Sequence, residues 1–141
     1  IAAEDVLLGA DWDAVTILRV AGIYGPGRDP RGRMRNASAL PQRGEYWTNL
    51  AHRDDIVGAV LHVIATPSAA KIFNVSDGAP TQAADVARWL ATASGGAAEA
   101  LVFGNVEQRS RNDQRVRNTA LMASGWSPQY PSFREGFATG V

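Results

Sequence analysis

The stretch VTILRVAGIY, residues 15–24, decides the fold class of this chain, and Gly25-Pro26-Gly27 follows it at once. A nearly continuous run of β-branched and apolar residues is typical of a strand that is buried on both faces of a sheet. The two glycines and the proline predict a tight turn where that strand ends. Because such a strand needs neighbours, we expect it to lie inside a mostly parallel sheet.

The segments around this strand alternate between helix and strand. Residues 2–8 predict a helix that ends at Gly9. A second helix is predicted to begin near Asp54, with Asp54 or Asp55 as its cap. Short strands are predicted over residues 45–50, 71–75 and 101–103. A third helix is predicted to follow Thr81 and to end at residues 95–96, and a short fourth helix is predicted over residues 118–124. Residues 28–45 predict an irregular loop. This alternation indicates an α/β fold with parallel pairing.

Composition excludes several classes of function. The 141 residues contain 14 Lys+Arg, 14 Asp+Glu and no Cys. A net charge of zero provides no field to hold a polyanion, so we expect no nucleic-acid or membrane partner. Without cysteine there is no disulfide or thiolate metal site, which favours a cytoplasmic location, and the His and acidic residues lack the spacing of a metal site.

The glycines of residues 22–27 admit two interpretations. They follow a predicted strand, as a phosphate-binding loop does, but a dinucleotide fingerprint has the spacing G-x-G-x-x-G and opens a helix. Here Pro26 removes one backbone N–H, and a loop follows. The pattern therefore favours a tight turn.

Arginines are concentrated in two polar stretches. Guanidinium groups bind phosphate or carboxylate in a bidentate manner, so two such stretches that converge on a cleft would suit an anionic substrate. A solvated surface is the alternative. The two groups are Arg28, Arg31, Arg33, Arg35 and Arg43, and Arg109, Arg111, Arg115 and Arg117.

His52 precedes Asp54 and Asp55, which permits an acid–base pair. Helix capping explains both carboxylates without chemistry, and we favour it.

Four blocks in order resemble the NAD(P)-dependent epimerase/dehydratase family, the extended and atypical short-chain dehydrogenases/reductases. They are LRVAGIYGPGR (18–28), NLAHRDDIVGAVLHVI (49–64), IFNVSDGAPT (72–81) and RNTALMASGWSPQYPSFREGF (117–137). The resemblance implies a partial Rossmann-like α/β fold with a small substrate-binding subdomain, residues 1–141 being a C-terminal portion. It assigns residues 14–24 and 71–76 to the Rossmann sheet, and 25–53 and 97–135 to the substrate side.

The same resemblance implies site residues. Contacts to the nicotinamide end of NAD or NADP, mainly through backbone groups, are expected at Val20, Ala21, Gly22 and Ile23. Substrate contacts are expected at Tyr24, Arg28, Thr48, Asn49 and Arg115. No catalytic residue is expected, because the sequence contains neither the glycine fingerprint nor a Tyr-x-x-x-Lys pair.

The resemblance therefore implies the substrate-side portion of an oxidoreductase that acts on a small, anionic molecule and is inactive alone. A metabolite-sensing protein of the same fold and a small structural domain are the alternatives. The chain begins at Ile1 rather than Met, so we expect a piece of a longer protein. We also expect it to self-associate or to bind a missing N-terminal half.

Overall fold

The fold is described from a computed structural model over residues 2–12, 14–31, 36–66, 72–106 and 113–138. Strands and helices alternate along this part of the chain. The helices are α1 (Ala2–Gly9), α2 (Arg53–Ala65), α3 (Ala83–Ala93), α4 (Thr119–Ala123) and α5 (Phe133–Ala138), with a 3₁₀ turn at Ala98–Ala100. The strands are β1 (Ile17–Val20), β2 (Gly22–Tyr24), β3 (Ala39–Gln42), β4 (Trp47–Thr48), β5 (Leu50–His52), β6 (Ile72–Val75), β7 (Thr81–Gln82) and β8 (Val102–Val106).

The described strands form pairs, and three of the pairs are parallel. Strand β1 pairs with β6, β2 with β5 and β3 with β8, whereas β4 and β7 are antiparallel. The first two pairs are linked by backbone hydrogen bonds, since Asp77 N–H donates to the carbonyl of Leu50 at 2.8 Å. The predicted α/β fold with parallel pairing is thus confirmed.

Three apolar clusters form the core. The first joins Tyr24 of β2 to Val86 and Leu90 of α3 and to Phe133 and Phe137 of α5. The second places Ala59 of α2 against β6, Leu121 and Trp126, and the third packs α3 against Leu101. Phe73, Phe133 and Phe137 are fully buried, so aromatic side chains contribute much of the apolar area that stabilises the fold.

The strand predicted over residues 15–24 is interrupted. Ala21 separates β1 from β2, and its N–H donates to the carbonyl of Val75 while Gly22 N–H donates to that of Asn49. The prediction of burial on both faces is wrong within the described chain, because Val20 is 38% and Ile23 40% exposed. Composition predicted the strand correctly, but it could not show that the run changes its pairing partner at Ala21.

Two further local predictions are wrong. The predicted loop over residues 28–45 contains β3, which pairs with β8, a contact distant in sequence that local composition does not reveal. Helix α2 is capped by His52 rather than Asp54 or Asp55, because the His52 ring nitrogen Nδ1 accepts the Asp54 N–H at 3.2 Å. The helix predicted to follow Thr81 is present as α3: Thr81 lies in β7, and Gln82 is the N-cap residue of the helix.

Helix α2 is apolar on nearly every side. Its packed residues are Ile56, Ala59 and Val63, which contact the second core cluster. The other large apolar residues of α2 are exposed, with Val57 52%, Val60 40%, Leu61 61% and Ile64 71% accessible. Among the described residues, no helix is long and apolar enough to cross a membrane.

Candidate functional site

Residues 20–24 lie between two cavities. Val20 and Ala21 line one cavity at the end of β1, and Ile23 and Tyr24 line a second beside the glycine turn. The N–H groups of Ala21 and Gly22 are both bonded to carbonyls of neighbouring strands, so these two donors are not available to a ligand. The side chains of Val20 and Ile23 are partly exposed and offer apolar surface. Contacts from these two side chains to a ligand would therefore be apolar.

Gly22 has a packing reason to be glycine. A Cβ there would lie 3.0 Å from the carbonyl oxygen of Asn49 and 3.2 Å from Cδ2 of Leu50. The absence of a side chain lets β2 approach β5 closely, as in other strands that carry glycine at a close backbone contact.

The first cavity, here called the arginine cavity, has a volume of about 550 Å³. It is lined by Arg19, Val20, Ala21, Asn74, Gln114, Arg115, Val116 and Arg117. The structure thus brings two of the residues predicted to contact the cofactor, Val20 and Ala21, together with Arg115, which was predicted to contact the substrate.

Arg115 is held in place by the strand that precedes β5. Its guanidinium lies 4.8 Å from the centre of the Trp47 ring, in a cation–π arrangement. The Asp113 carboxylate accepts the Trp47 N–H at 2.7 Å, which fixes the segment that carries Arg115. Arg115 is solvent-exposed, and its guanidinium lies over an aromatic ring at the cavity wall.

Asn49 and Thr48 have structural roles in this arrangement. The Asn49 side chain donates to the carbonyl of Gln114 at 2.9 Å and accepts the N–H of Val116 at 2.7 Å, so both of its polar ends are used. Thr48 pairs with Thr81 between β4 and β7. Both residues were predicted to contact substrate, but neither is among the described lining residues of the two cavities.

Arg19 is the third arginine of this cavity and forms an exposed pair with Glu4 of α1. Its Nε donates to the Glu4 carboxylate at 2.8 Å, and this hydrogen bond holds the pKa of Glu4 below its ordinary value. Arg19 is thus paired, whereas Arg115 and Arg117 of the same cavity have no ion pair within the described residues.

The second cavity, here called the turn cavity, has a volume of about 420 Å³. It is lined by Ile23, Tyr24, Gly27, Arg28, Asp29, Pro30, Leu50, Val86, Leu90 and Phe137. Tight turning at Gly25 (φ 134°) and Gly27 (φ 80°) brings Arg28 to the cavity, and the Arg28 N–H donates to the carbonyl of Gly25 at 2.8 Å. The predicted turn is confirmed.

Tyr24 forms part of the wall of the turn cavity and is 3% exposed. Its ring packs 4.6 Å from Phe137 and edge-on to His52 at 5.1 Å. Burial, with Asp77 and Asp55 nearby, raises the pKa of the Tyr24 phenol well above its usual value. Tyr24 is therefore protonated at neutral pH.

His52 and Asp55 each have structural partners. His52 Nδ1 accepts the Asp54 N–H, and its ring packs 4.1 Å from that of Tyr130. The Asp55 carboxylate accepts the N–H groups of Gln129 and Tyr130 at 2.6 and 3.3 Å. This geometry fits the helix-start interpretation rather than an acid–base pair.

The two arginine groups of the sequence contribute residues to different cavities. Arg28 lies at the turn cavity, and Arg115 and Arg117 lie at the arginine cavity. Arg31 binds Asp29 at 2.8 Å, and Arg43 is exposed. Arg33, Arg35, Arg109 and Arg111 lie outside the described residues.

Asp77 is a buried carboxyl that sequence reasoning did not single out. One oxygen accepts the Ala79 N–H at 2.9 Å, and the other has no hydrogen-bond partner within the described chain. Burial raises its pKa from 3.8 to about 6. The N-V-S-D-G turn that contains Asp77 was visible in the sequence, but the burial of its carboxyl was not. No group of three potential metal ligands occurs among the described residues.

Comparison with known proteins places this geometry in context. No family model matches the chain. Protein YeeZ of Escherichia coli K12 is 39% identical over 72 residues, which are 51% of this chain and 26% of that protein. A structure described as an NAD-dependent epimerase/dehydratase from Methylobacillus flagellatus is 30% identical, with a TM-score of 0.74, over 97% of this chain and 50% of its own.

The enzyme WbmG of Bordetella bronchiseptica, solved with NAD and UDP, has a TM-score of 0.79 at 16% identity and shares the fold. The match covers 97% of this chain and 46% of WbmG. The chain thus spans about half the length of these solved structures. The resemblance seen in the sequence is confirmed.

Proposed function

We propose that this chain, whose fold is that of about half of an NAD-dependent epimerase/dehydratase, forms the substrate side of an NAD(P)-dependent oxidoreductase of that kind. The observation that carries the proposal is the position of residues 20–24. Val20 and Ala21 line the arginine cavity, and Ile23 and Tyr24, after Gly22, line the turn cavity. A reaction that joins a cofactor to a substrate requires such a shared border.

The residues present fit one end of a dinucleotide. Val20 and Ile23 offer exposed apolar side chains, which suit the flat face of a nicotinamide ring. When it is bound, the dinucleotide supplies hydride transfer. The chain's own residues bind and orient: Val20 and Ile23 would contact the ring, and Tyr24 and Arg28 would hold the substrate. WbmG was solved with NAD, which supports a cofactor of this class.

The chain alone is expected to be inactive and to bind dinucleotide weakly. Its sequence has no G-x-G-x-x-G fingerprint for the pyrophosphate and no Tyr-x-x-x-Lys pair for proton exchange. Contacts beside nicotinamide supply only part of a dinucleotide interface. Calorimetric titration should therefore find no micromolar affinity for NAD⁺ or NADP⁺.

Saturation-transfer NMR with millimolar NAD⁺ tests the proposal. Because residues 20–23 would contact nicotinamide, the nicotinamide protons should receive more saturation than the adenine protons. Val20→Asp should reduce that transfer several-fold. Val102→Asp is the matched control, since Val102 is also an exposed strand valine, 64% accessible, and lines neither cavity. Stronger transfer to adenine, or an equal effect of the control, would refute the proposal.

A further inference from the structure

Most of the described residues that line the turn cavity have apolar side chains. Tyr24, Leu90 and Phe137 belong to the first core cluster, and Val86 of that cluster also faces the cavity. The other apolar residues of the described lining are Ile23, Pro30 and Leu50. Tyr24 contributes its ring to the wall, and its hydroxyl lies 3.4 Å from the carbonyl oxygen of Ser132. A ligand in this cavity would place much of its surface against these apolar side chains, which favours an apolar body over a polyhydroxylated one.

The charged rim of this cavity is built asymmetrically. Asp29 is occupied, because its carboxylate accepts both the N–H and the Nε–H of Arg31 at 2.9 and 2.8 Å. Arg31 also donates to the carbonyl of Phe137 at 3.2 Å, which fastens the rim to α5. A pair of this kind leaves little negative charge at the rim.

Arg28 contributes the opposite charge. Its backbone is fixed by the bond to Gly25, and no carboxylate of the described chain lies within ion-pairing distance of its guanidinium. A guanidinium at the edge of an apolar cavity matches an anion that carries an apolar body, since the head group gains charge-assisted hydrogen bonds and the body is removed from water.

We propose that the turn cavity takes a small organic anion with an apolar body, rather than a nucleotide sugar. This inference rests on the proposed function, because it names the class of substrate for the same site. A cavity of about 420 Å³ lies within the size range of small-molecule sites. Arg28 would then determine specificity by pairing with the anionic head, and the lining from β2, α3 and α5 would select the apolar body.

The test uses three probes and no dinucleotide, so that it can fail independently of the proposed function. The 141-residue chain is titrated with 3-phenylpropanoate, with its neutral analogue 3-phenylpropanol and with UDP-glucose, and binding is followed by amide chemical shifts. We expect the carboxylate to bind about tenfold more tightly than the alcohol, and UDP-glucose to bind more weakly than the carboxylate. The shifted amides should lie around Tyr24, Gly27 and Leu90.

Variants assign the effect to Arg28. Arg28→Gln should remove the tenfold preference for the carboxylate while leaving binding of the alcohol unchanged. Arg43→Gln is the matched control, because Arg43 is exposed and lines neither described cavity. The proposal is overturned if the carboxylate does not bind, if the alcohol binds as tightly, if UDP-glucose binds more tightly, or if Arg28→Gln keeps the preference.

Discussion

The carboxylate of Asp55 at the start of α2 accepts the backbone N–H of Gln129 at 2.6 Å, across 74 residues of sequence. Its second oxygen accepts the N–H of Tyr130. One buried side chain thus connects the helix that follows β5 to the segment that leads into α5. Two residues beside this contact line the turn cavity: Leu50 of β5, the strand before α2, and Phe137 of α5.

Asp55→Asn should destabilise the protein by about 2 kcal/mol. The amide can replace one acceptor, but its NH₂ group would face a second backbone donor and leave it unsatisfied in a buried place. Urea unfolding measures the change. Asp54→Asn is the control, because the half-exposed Asp54 carboxylate pairs with Arg53 and lies 3.8 Å from His52 Nδ1 without accepting a buried backbone N–H. It should change stability by less than about 0.5 kcal/mol. Equal effects of both variants would contradict the role of Asp55.

Asp77 should make stability depend on pH in a specific direction. Its folded-state pKa of about 6 exceeds the ordinary value of 3.8, so the folded protein binds more protons than the unfolded chain between these values. Stability from this group is therefore present at low pH and lost as the pH rises to about 6, by about 1.4 kcal/mol for each pH unit.

The comparison of wild type with Asp77→Asn isolates this effect. The free energy of unfolding of the wild type, relative to the variant, should decrease between pH 4 and pH 6 and then become constant. Denaturant titrations at each pH measure it. A difference that does not vary with pH would show that Asp77 titrates normally in the folded protein.

Gly136 of α5 is required by the ring of Tyr24. A Cβ at this position would lie 2.7 Å from two ring carbons of Tyr24, closer than real contacts allow. Gly136→Ala should therefore cost about 1–3 kcal/mol and shift the Tyr24 resonances. Gly9→Ala is the control: Gly9 ends α1 with nothing near its Cβ position, so this variant should be neutral or slightly stabilising. Thermal unfolding of both variants measures these changes in stability.

The sequence led us to expect self-association, and the structure offers the exposed apolar side of α2 as a further surface that should drive it. Leu61 is 61% and Ile64 71% accessible, and β1 has one partner strand among those described, which leaves its other edge available. Light scattering should give a mass above the 15.0 kDa of one chain. Leu61→Glu should shift the protein towards monomer, whereas Val102→Glu should not. A monodisperse wild-type monomer that unfolds cooperatively would contradict this prediction.

Local patterns predicted the elements better than their environments. The run over residues 15–24 and the apolar residues of β6 indicated strands, because β-branched residues favour extended backbone. Strand β3 was not predicted, because it contains Pro41 and its partner β8 lies far along the chain. Helix α2 is apolar all round, so periodicity could not show which side is packed. The roles of Asn49, Asp55 and Asp77 depend on contacts with distant residues, which no local pattern encodes.

Titration of the isotope-labelled chain with NAD⁺ is the most direct test of the central claim, that residues 20–24 border a nicotinamide site. Amide chemical shifts should change first and most at Val20, Ala21 and Ile23, with an affinity in the millimolar range, and the amides of β3 and β8 should not respond. Shift changes that cluster away from residues 20–24, or that indicate micromolar binding, would contradict the proposal.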